Sequence, residues 1–149
     1  MISEIAHVGV TVSDIDRSIG FYRDTVGLEY LGRAVMQGES ADRLFGTRDC
    51  CVDVAYLRRG RVECPPLELI HFRGTDAGNG TAELQRRSIS EICFATDDIW
   101  SEYDRMRALG VEFISEPQPF DFTEEGFGRS LAVYFRDPDG IIMELVQNL

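Results

Sequence analysis

The sequence predicts an α+β chain built of two βαβββ modules in tandem. Three observations predict it. Residues 7–31 and 91–114 superpose on a shift of 84, which becomes 83 after one deleted residue; it carries His7 onto Glu91, Asp14 onto Asp98, Ile15 onto Ile99 and Tyr22 onto Met106. Both stretches open with apolar residues at every second position and continue at steps of three and four, the change from strand to helix. Two later runs recur as well: Ala55-Tyr56-Leu57-Arg58 resembles Val133-Tyr134-Phe135-Arg136, and Leu67-Glu68-Leu69 resembles Met143-Glu144-Leu145.

The first strand begins at His7, with Val8, Val10 and Val12 pointing one way and His7, Gly9 and Thr11 the other. Ser13 or Asp14 caps the next helix, whose apolar positions Ile15, Ile19, Tyr22 and Val26 share a face, and Gly27 stops it. In the second half Ile92 and Phe94 oppose Glu91, Cys93 and Ala95. Asp97 or Asp98 caps a helix carried by Ile99, Tyr103, Met106 and Leu109, and Gly110 ends it. The last two strands of module two are joined by Asp137-Pro138-Asp139-Gly140, a hairpin signal. Module one has the longer stretch Arg59–Pro66 in its place. The chain reads as one domain over 1–149, with module one at 4–73, a polar, glycine-rich linker at 74–88 and module two at 89–147. Residues 116–130, with three phenylalanines, read as an irregular stretch, either a surface loop or a pocket lid.

Composition narrows the function. At 149 residues, 44% hydrophobic and 28% charged, the chain buries a core and is not disordered. Twenty-six acidic against fifteen basic residues give a net charge of −11, and every basic residue is Arg. Without Lys, a Schiff base and a P-loop lysine are both excluded. The acidic balance speaks against nucleic acid and anionic membrane as partners. No apolar run approaches the roughly 20 residues of a spanning helix. Met1–Glu4 shows no basic region leading into an apolar core, and the four cysteines form no CxxC pair, so reduced thiols in a cytoplasm are expected. Cys50 and Cys51 are expected to serve as small hydrophobes. With only His7 and His71, a three-histidine site is excluded. His71 lies three residues beyond Glu68, hence on the opposite strand face, and is expected to be structural or on the surface.

Three carboxylates interrupt apolar strands: Glu68, Glu91 and Glu144. A carboxylate taken out of water needs a partner or it takes up a proton. The repeat makes His7 equivalent to Glu91 on each first strand, and Glu68 equivalent to Glu144 on each last strand. One histidine and three glutamates thus form a four-donor set suited to a bound cation.

These residues carry a resemblance. HVGVTVSDIDRSIGFYRDTVGLE, PLELIHF and AVYFRDPDGIIMELVQ resemble the vicinal oxygen chelate superfamily, the group of glyoxalase I, methylmalonyl-CoA epimerase, extradiol dioxygenases and bleomycin-resistance proteins. The resemblance implies two βαβββ modules whose sheets curl into a cup around one divalent metal, with His7, Glu68, Glu91 and Glu144 at the ligand positions. Members with a metal commonly have His where this chain has Glu91, so Glu91 is either a ligand or a base beside a three-ligand metal. One His with three carboxylates suits Mn²⁺, Co²⁺, Ni²⁺, Zn²⁺ or Mg²⁺, and Fe²⁺ less well.

The resemblance implies an isomerase, epimerase or racemase, or a glyoxalase-like lyase, removing a proton beside a carbonyl of a small organic substrate. Asp49 matches the catalytic Glu that precedes the third strand in epimerases of the family; Glu39 and Asp42 are weaker alternatives, and Glu144 is the metal-bound candidate base. Arg129, Phe120 and Phe127 are candidate substrate contacts, with Phe122, Tyr56 and Tyr134 as further lining or core residues. Alternatives are an extradiol-type dioxygenase, which the ligand set disfavours, and a metal-free small-molecule (antibiotic) binding protein, which would have lost the donors. An exposed sheet edge on each module is compatible with the homodimers common in the family.

Overall fold

A computed structural model describes residues 6–60, 66–75, 78, 91–124 and 126–149. The chain divides into two compact units, Met1–Asn79 and Gly80–Leu149. Most of the expected linker at 74–88, Cys64 and most of the Arg59–Pro66 stretch lie outside the described residues.

Unit one contains β1 (Val8–Thr11), α1 (Ile15–Gly20), β2 (Glu29–Gln37), α2 (Glu39–Phe45), β3 (Cys51–Arg58) and β4 (Leu67–Phe72), and α1 runs into a π-helical turn over Phe21–Thr25. Its four strands are ordered β1-β4-β3-β2; β1 runs parallel to β4 and the other pairs are antiparallel. Asp14 caps α1 by accepting from the Arg17 N–H at 3.0 Å. All four apolar positions read for this helix, Ile15, Ile19, Tyr22 and Val26, are buried. They pack on the sheet face formed by Val10, Leu69, Ala55 and Leu57. Gly27 follows at φ +84°, the left-handed conformation that ends the helix.

Unit two repeats the plan with β5 (Ile92–Ala95), α3 (Ile99–Ala108), β6 (Gln118–Phe122), β7 (Gly128–Arg136) and β8 (Ile142–Asn148). Its strand order, β5-β8-β7-β6, and its parallel β5–β8 pair match unit one. Asp98 caps α3, accepting from the Ser101 N–H at 3.1 Å and the Ser101 hydroxyl at 2.7 Å. Asp137 organises the last hairpin, its Oδ1 accepting the N–H groups of Asp139 and Ile141 at 2.9 and 2.8 Å.

Three expectations need correction. Leu109 does not face the core: it closes α3 as its C-cap and is exposed. Module one carries an extra helix, α2, which the repeat does not contain; only its Ala41 is buried, so it has almost no apolar face to read. Residues 116–130 are not irregular throughout: Gln118–Phe122 form β6 against β7. Pro119 obscured this strand, yet a proline is tolerated on an edge where its missing N–H faces away from the ladder.

Candidate functional site

Strand register sorts each sheet into two faces. In unit one, Val10, Leu69 and Leu57 turn toward α1, while Gly9, Glu68 and Tyr56 share the other face. Glu68 pairs with Gly9 on one side and Tyr56 on the other. It is buried, and both its oxygens have neighbours. The Tyr56 phenol donates to Oε1 at 2.5 Å, and His7 Nε2 lies 3.2 Å from Oε2. The His7 and Tyr56 rings meet edge-on with centroids 6.2 Å apart. The hydrogen bond to Glu68, with desolvation and the carboxylate charge, pushes the Tyr56 phenol up to about 12. Gly9 gives room: a Cβ there would meet Ile70 Cδ1 at 3.2 Å and Glu68 Oε2 at 3.6 Å.

Unit two repeats the arrangement with different side chains. Glu144 pairs with Cys93 and Tyr134. Desolvation first, then a hydrogen bond to Glu144 and the charges of Glu144 and Glu91, push the Cys93 thiol up to about 12, although the residue keeps accessible surface. The Tyr134 phenol is raised by desolvation and then by Glu144, Glu91 and Cys93. Glu91 and Glu144 therefore both act on the same two side chains.

Unit one brings two of the expected donors together, His7 and Glu68; in unit two the charges of Glu91 and Glu144 both reach the Cys93 thiol and the Tyr134 phenol. Among the described residues, no arginine is paired with Glu68, Glu91 or Glu144, and no group of three His, Cys, Asp or Glu side chains is gathered closely enough to hold a metal ion. A carboxylate buried beside an imidazole, with no guanidinium to neutralise it, fits a divalent cation in donor chemistry.

The other candidates are placed as follows. Asp49 is exposed in the turn before β3, at a left-handed φ of 53°; its N–H and that of Cys50 each donate to the Asp42 carboxylate at 2.9 Å. Asp42 is thus occupied in holding that turn, and Glu39 is ion-paired with Arg43 on α2. Arg129 is opposite Asp121 in the register, one position from Ser130, and so faces away from Glu144; the structure does not bring it to the carboxylate. Phe120 and Phe122 are on the Glu144 face, opposite Ser130 and Gly128, with rings stacked at 6.0 Å. Phe127 stands exposed in the turn after β6. His71 turns to the α1 face with Nδ1 at 3.1 Å from the Val12 carbonyl, the structural place expected of it.

Composition alone hid the roles of Tyr56, Tyr134 and Cys93. The repeat contained the signal: both tyrosines recur in register with a Glu, and Cys93 stands where module one has Gly9.

Comparison with known proteins bears on this arrangement. The model of the Glyoxalase/Bleomycin resistance protein/Dioxygenase superfamily matches residues 4–145. The chain belongs to this superfamily. It is 28% identical over 146 residues to a Synechocystis protein named "Probable lactoylglutathione lyase", covering 96% of this chain and 94% of that one. A lactoylglutathione lyase of Haemophilus influenzae is also 28% identical, over 147 residues, with 97% and 93% coverage. The crystal structure of a glyoxalase family protein from Bacillus cereus superposes at TM-score 0.85 with 25% identity, covering 100% of this chain and 96% of that one. Superfamily membership accounts for the tandem modules. No helix among the described residues is long and apolar enough to cross a membrane.

Proposed function

We propose that this glyoxalase-superfamily chain is a divalent-metal-dependent isomerase or epimerase, or a glyoxalase-like lyase, that removes a proton next to a carbonyl of a small organic substrate. One observation carries the reading. Unit one sets His7 beside the buried Glu68, with no arginine paired to that carboxylate among the described residues, and the repeat gives Glu91 and Glu144 the equivalent positions of unit two. His7, Glu68, Glu91 and Glu144 would hold one cation, of the Mn²⁺, Co²⁺, Ni²⁺, Zn²⁺ or Mg²⁺ kind. When bound, it supplies Lewis-acid polarisation of a carbonyl oxygen. The lyase activity named for the Synechocystis and Haemophilus relatives falls within this class.

The chain's own residues supply the rest. Glu144 is the base that takes the α-proton, with the Cys93 thiol beside it as a hydrogen-bond donor. Asp49 is the second candidate base, poised in its turn by Asp42. The stacked Phe120 and Phe122, on the Glu144 face, offer an apolar surface for the remainder of the substrate. A homodimer in the cytoplasm is the proposed setting.

The test is elemental analysis of protein purified without chelators, followed by α-proton exchange of 2-oxo and 2-hydroxycarbonyl compounds in D₂O. About one Mn, Co, Ni or Zn per chain and metal-dependent exchange are expected. E144Q should lower exchange about 100-fold or more, the scale of a lost general base. D49N separates the two bases, because only one of the two variants should approach that loss. Exchange that persists after the metal is stripped refutes the reading.

A further inference from the structure

We propose that Tyr56 is a positioning residue for the metal site, holding Glu68 so that one chosen carboxylate oxygen is left beside His7; this rests on the metal-site reading above. Tyr56 and Glu68 are direct register partners on adjacent antiparallel strands, so their side chains rise from one face of the sheet. The phenol donates to Oε1 at 2.5 Å, while Oε2 lies 3.2 Å from His7 Nε2. The same ring meets the His7 imidazole edge-on at 74°. One side chain therefore touches both donors of unit one.

The physical reason is specific to a buried carboxylate. Glu68 has three rotatable side-chain bonds, and its headgroup can turn either oxygen toward the imidazole. A phenol fixed on Oε1 removes that choice and satisfies the oxygen that faces away. The space over Oε2 is kept clear by Gly9, whose missing Cβ would stand 3.6 Å from it. A ligating carboxylate is commonly held by such an outer partner, and losing that partner costs about 10–100-fold in metal affinity. Unit two repeats the register with Tyr134 opposite Glu144, yet there the thiol of Cys93 donates to the carboxylate. The phenol is thus the dedicated donor only in unit one.

The experiment compares Mn²⁺ binding by metal-free wild type, Y56F and Y30F, followed by electron paramagnetic resonance of the free ion. Tyr30 is an exposed residue of β2 and serves as the control. Y56F should bind Mn²⁺ about 10–100-fold more weakly, with Y30F unchanged and the metal-free melting temperature of Y56F close to wild type. Equal Mn²⁺ affinity in Y56F and wild type overturns the proposal. A lower melting temperature with unaltered affinity does so too, because that is the signature of packing alone. Wild type that takes up no Mn²⁺, Co²⁺ or Zn²⁺ defeats the metal-site reading itself, and this proposal with it. If Y56F does not fold, Y134F protein is titrated with Mn²⁺ by ultraviolet difference spectroscopy. A perturbed tyrosine band is expected there, and an unperturbed one refutes the role of Tyr56.

Discussion

Replacing Asp53 by Asn tests a buried charge cluster of unit one. Asp53 lies in β3 on the α1 face, 1% exposed, and takes two arginines at once. Arg73 donates through Nε to Oδ2 and through Nη2 to Oδ1, both at 2.6 Å, and Arg33 Nε reaches Oδ1 at 3.1 Å. Arg33 is tied in turn to Asp16 at 2.9 Å. The Arg73 hydrogen bonds first, and Arg33 after them, hold the Asp53 carboxyl down to about 2 from 3.8 against the opposing effect of burial. At 1.36 kcal/mol per pKa unit this corresponds to about 2.5 kcal/mol. The Arg73 side chain is 49% exposed and that of Arg33 31%, so water screens both and about 1–2 kcal/mol is the better expectation. The sign follows from linkage. The folded carboxyl is the stronger acid, so its stabilisation is complete above about pH 4 and fades as the pH falls toward 2. D53N should therefore be about 1–2 kcal/mol less stable at pH 7, a melting temperature lower by about 3–6 °C. It should also lack part of the stability loss seen in wild type between pH 4 and 2. Urea unfolding followed by circular dichroism at pH 7 and at steps down to pH 2 measures both. Equal stability at pH 7, or an unchanged acid limb, refutes the reasoning.

Two further perturbations probe packing and site separately. Met106→Ala removes a side chain that is 1% exposed under α3, and unit two should lose about 2–5 kcal/mol in urea titration; a loss below about 1 kcal/mol would show that the α3 interface collapses to fill the space. Gly9→Ala places a Cβ 3.2 Å from Ile70 Cδ1 and 3.6 Å from Glu68 Oε2. Mn²⁺ affinity should fall about tenfold while the melting temperature moves by about 4 °C or less, and the reverse pattern, a cold melt with full affinity, would place Gly9 in packing alone.

Much of this fold was legible because period and punctuation agree. The valines of β1, the four-and-three spacing of α1 and the glycines at 27 and 110 all appear where the repeat puts them. What escaped was local. α2 buries only Ala41, so no apolar stripe announces it. β6 is an edge strand with every residue exposed and a proline inside it, so it lacks the alternation that a half-buried strand shows. Leu109 follows the helical period one step too far, past the last residue that the sheet can cover. At the site, Glu68, Glu91 and Glu144 were legible as carboxylates in apolar strands, but the side chains beside them were not. Tyr56 and Tyr134 sit at positions that in most sheets are simply packed, and only the cross-strand register joins them to Glu68 and Glu144.

On the proposed reading, the chemistry belongs where the two units depart from their own repeat. Backbone register is shared: Gly9–Glu68–Tyr56 in one sheet, Cys93–Glu144–Tyr134 in the other. Unit one then adds an imidazole, and unit two a third carboxylate. Glu68 is buried and taken on both oxygens by side chains of its own unit, whereas Glu144 is only half-buried. A carboxylate fixed through one oxygen, with the other left beside an imidazole, is suited to holding a cation in place. One with more solvent around it is suited to accept and return a proton, because it has freedom to move. On this view the duplication supplied two frames of the same strand register, and side-chain divergence within them separated the carboxylate proposed to hold the metal from the one proposed to take the proton. E68Q and E144Q should accordingly differ in kind: the first should lower Mn²⁺ affinity more than proton exchange at saturating metal, and the second the opposite. Identical profiles for the two variants would show that the asymmetry between Glu68 and Glu144 has no functional consequence.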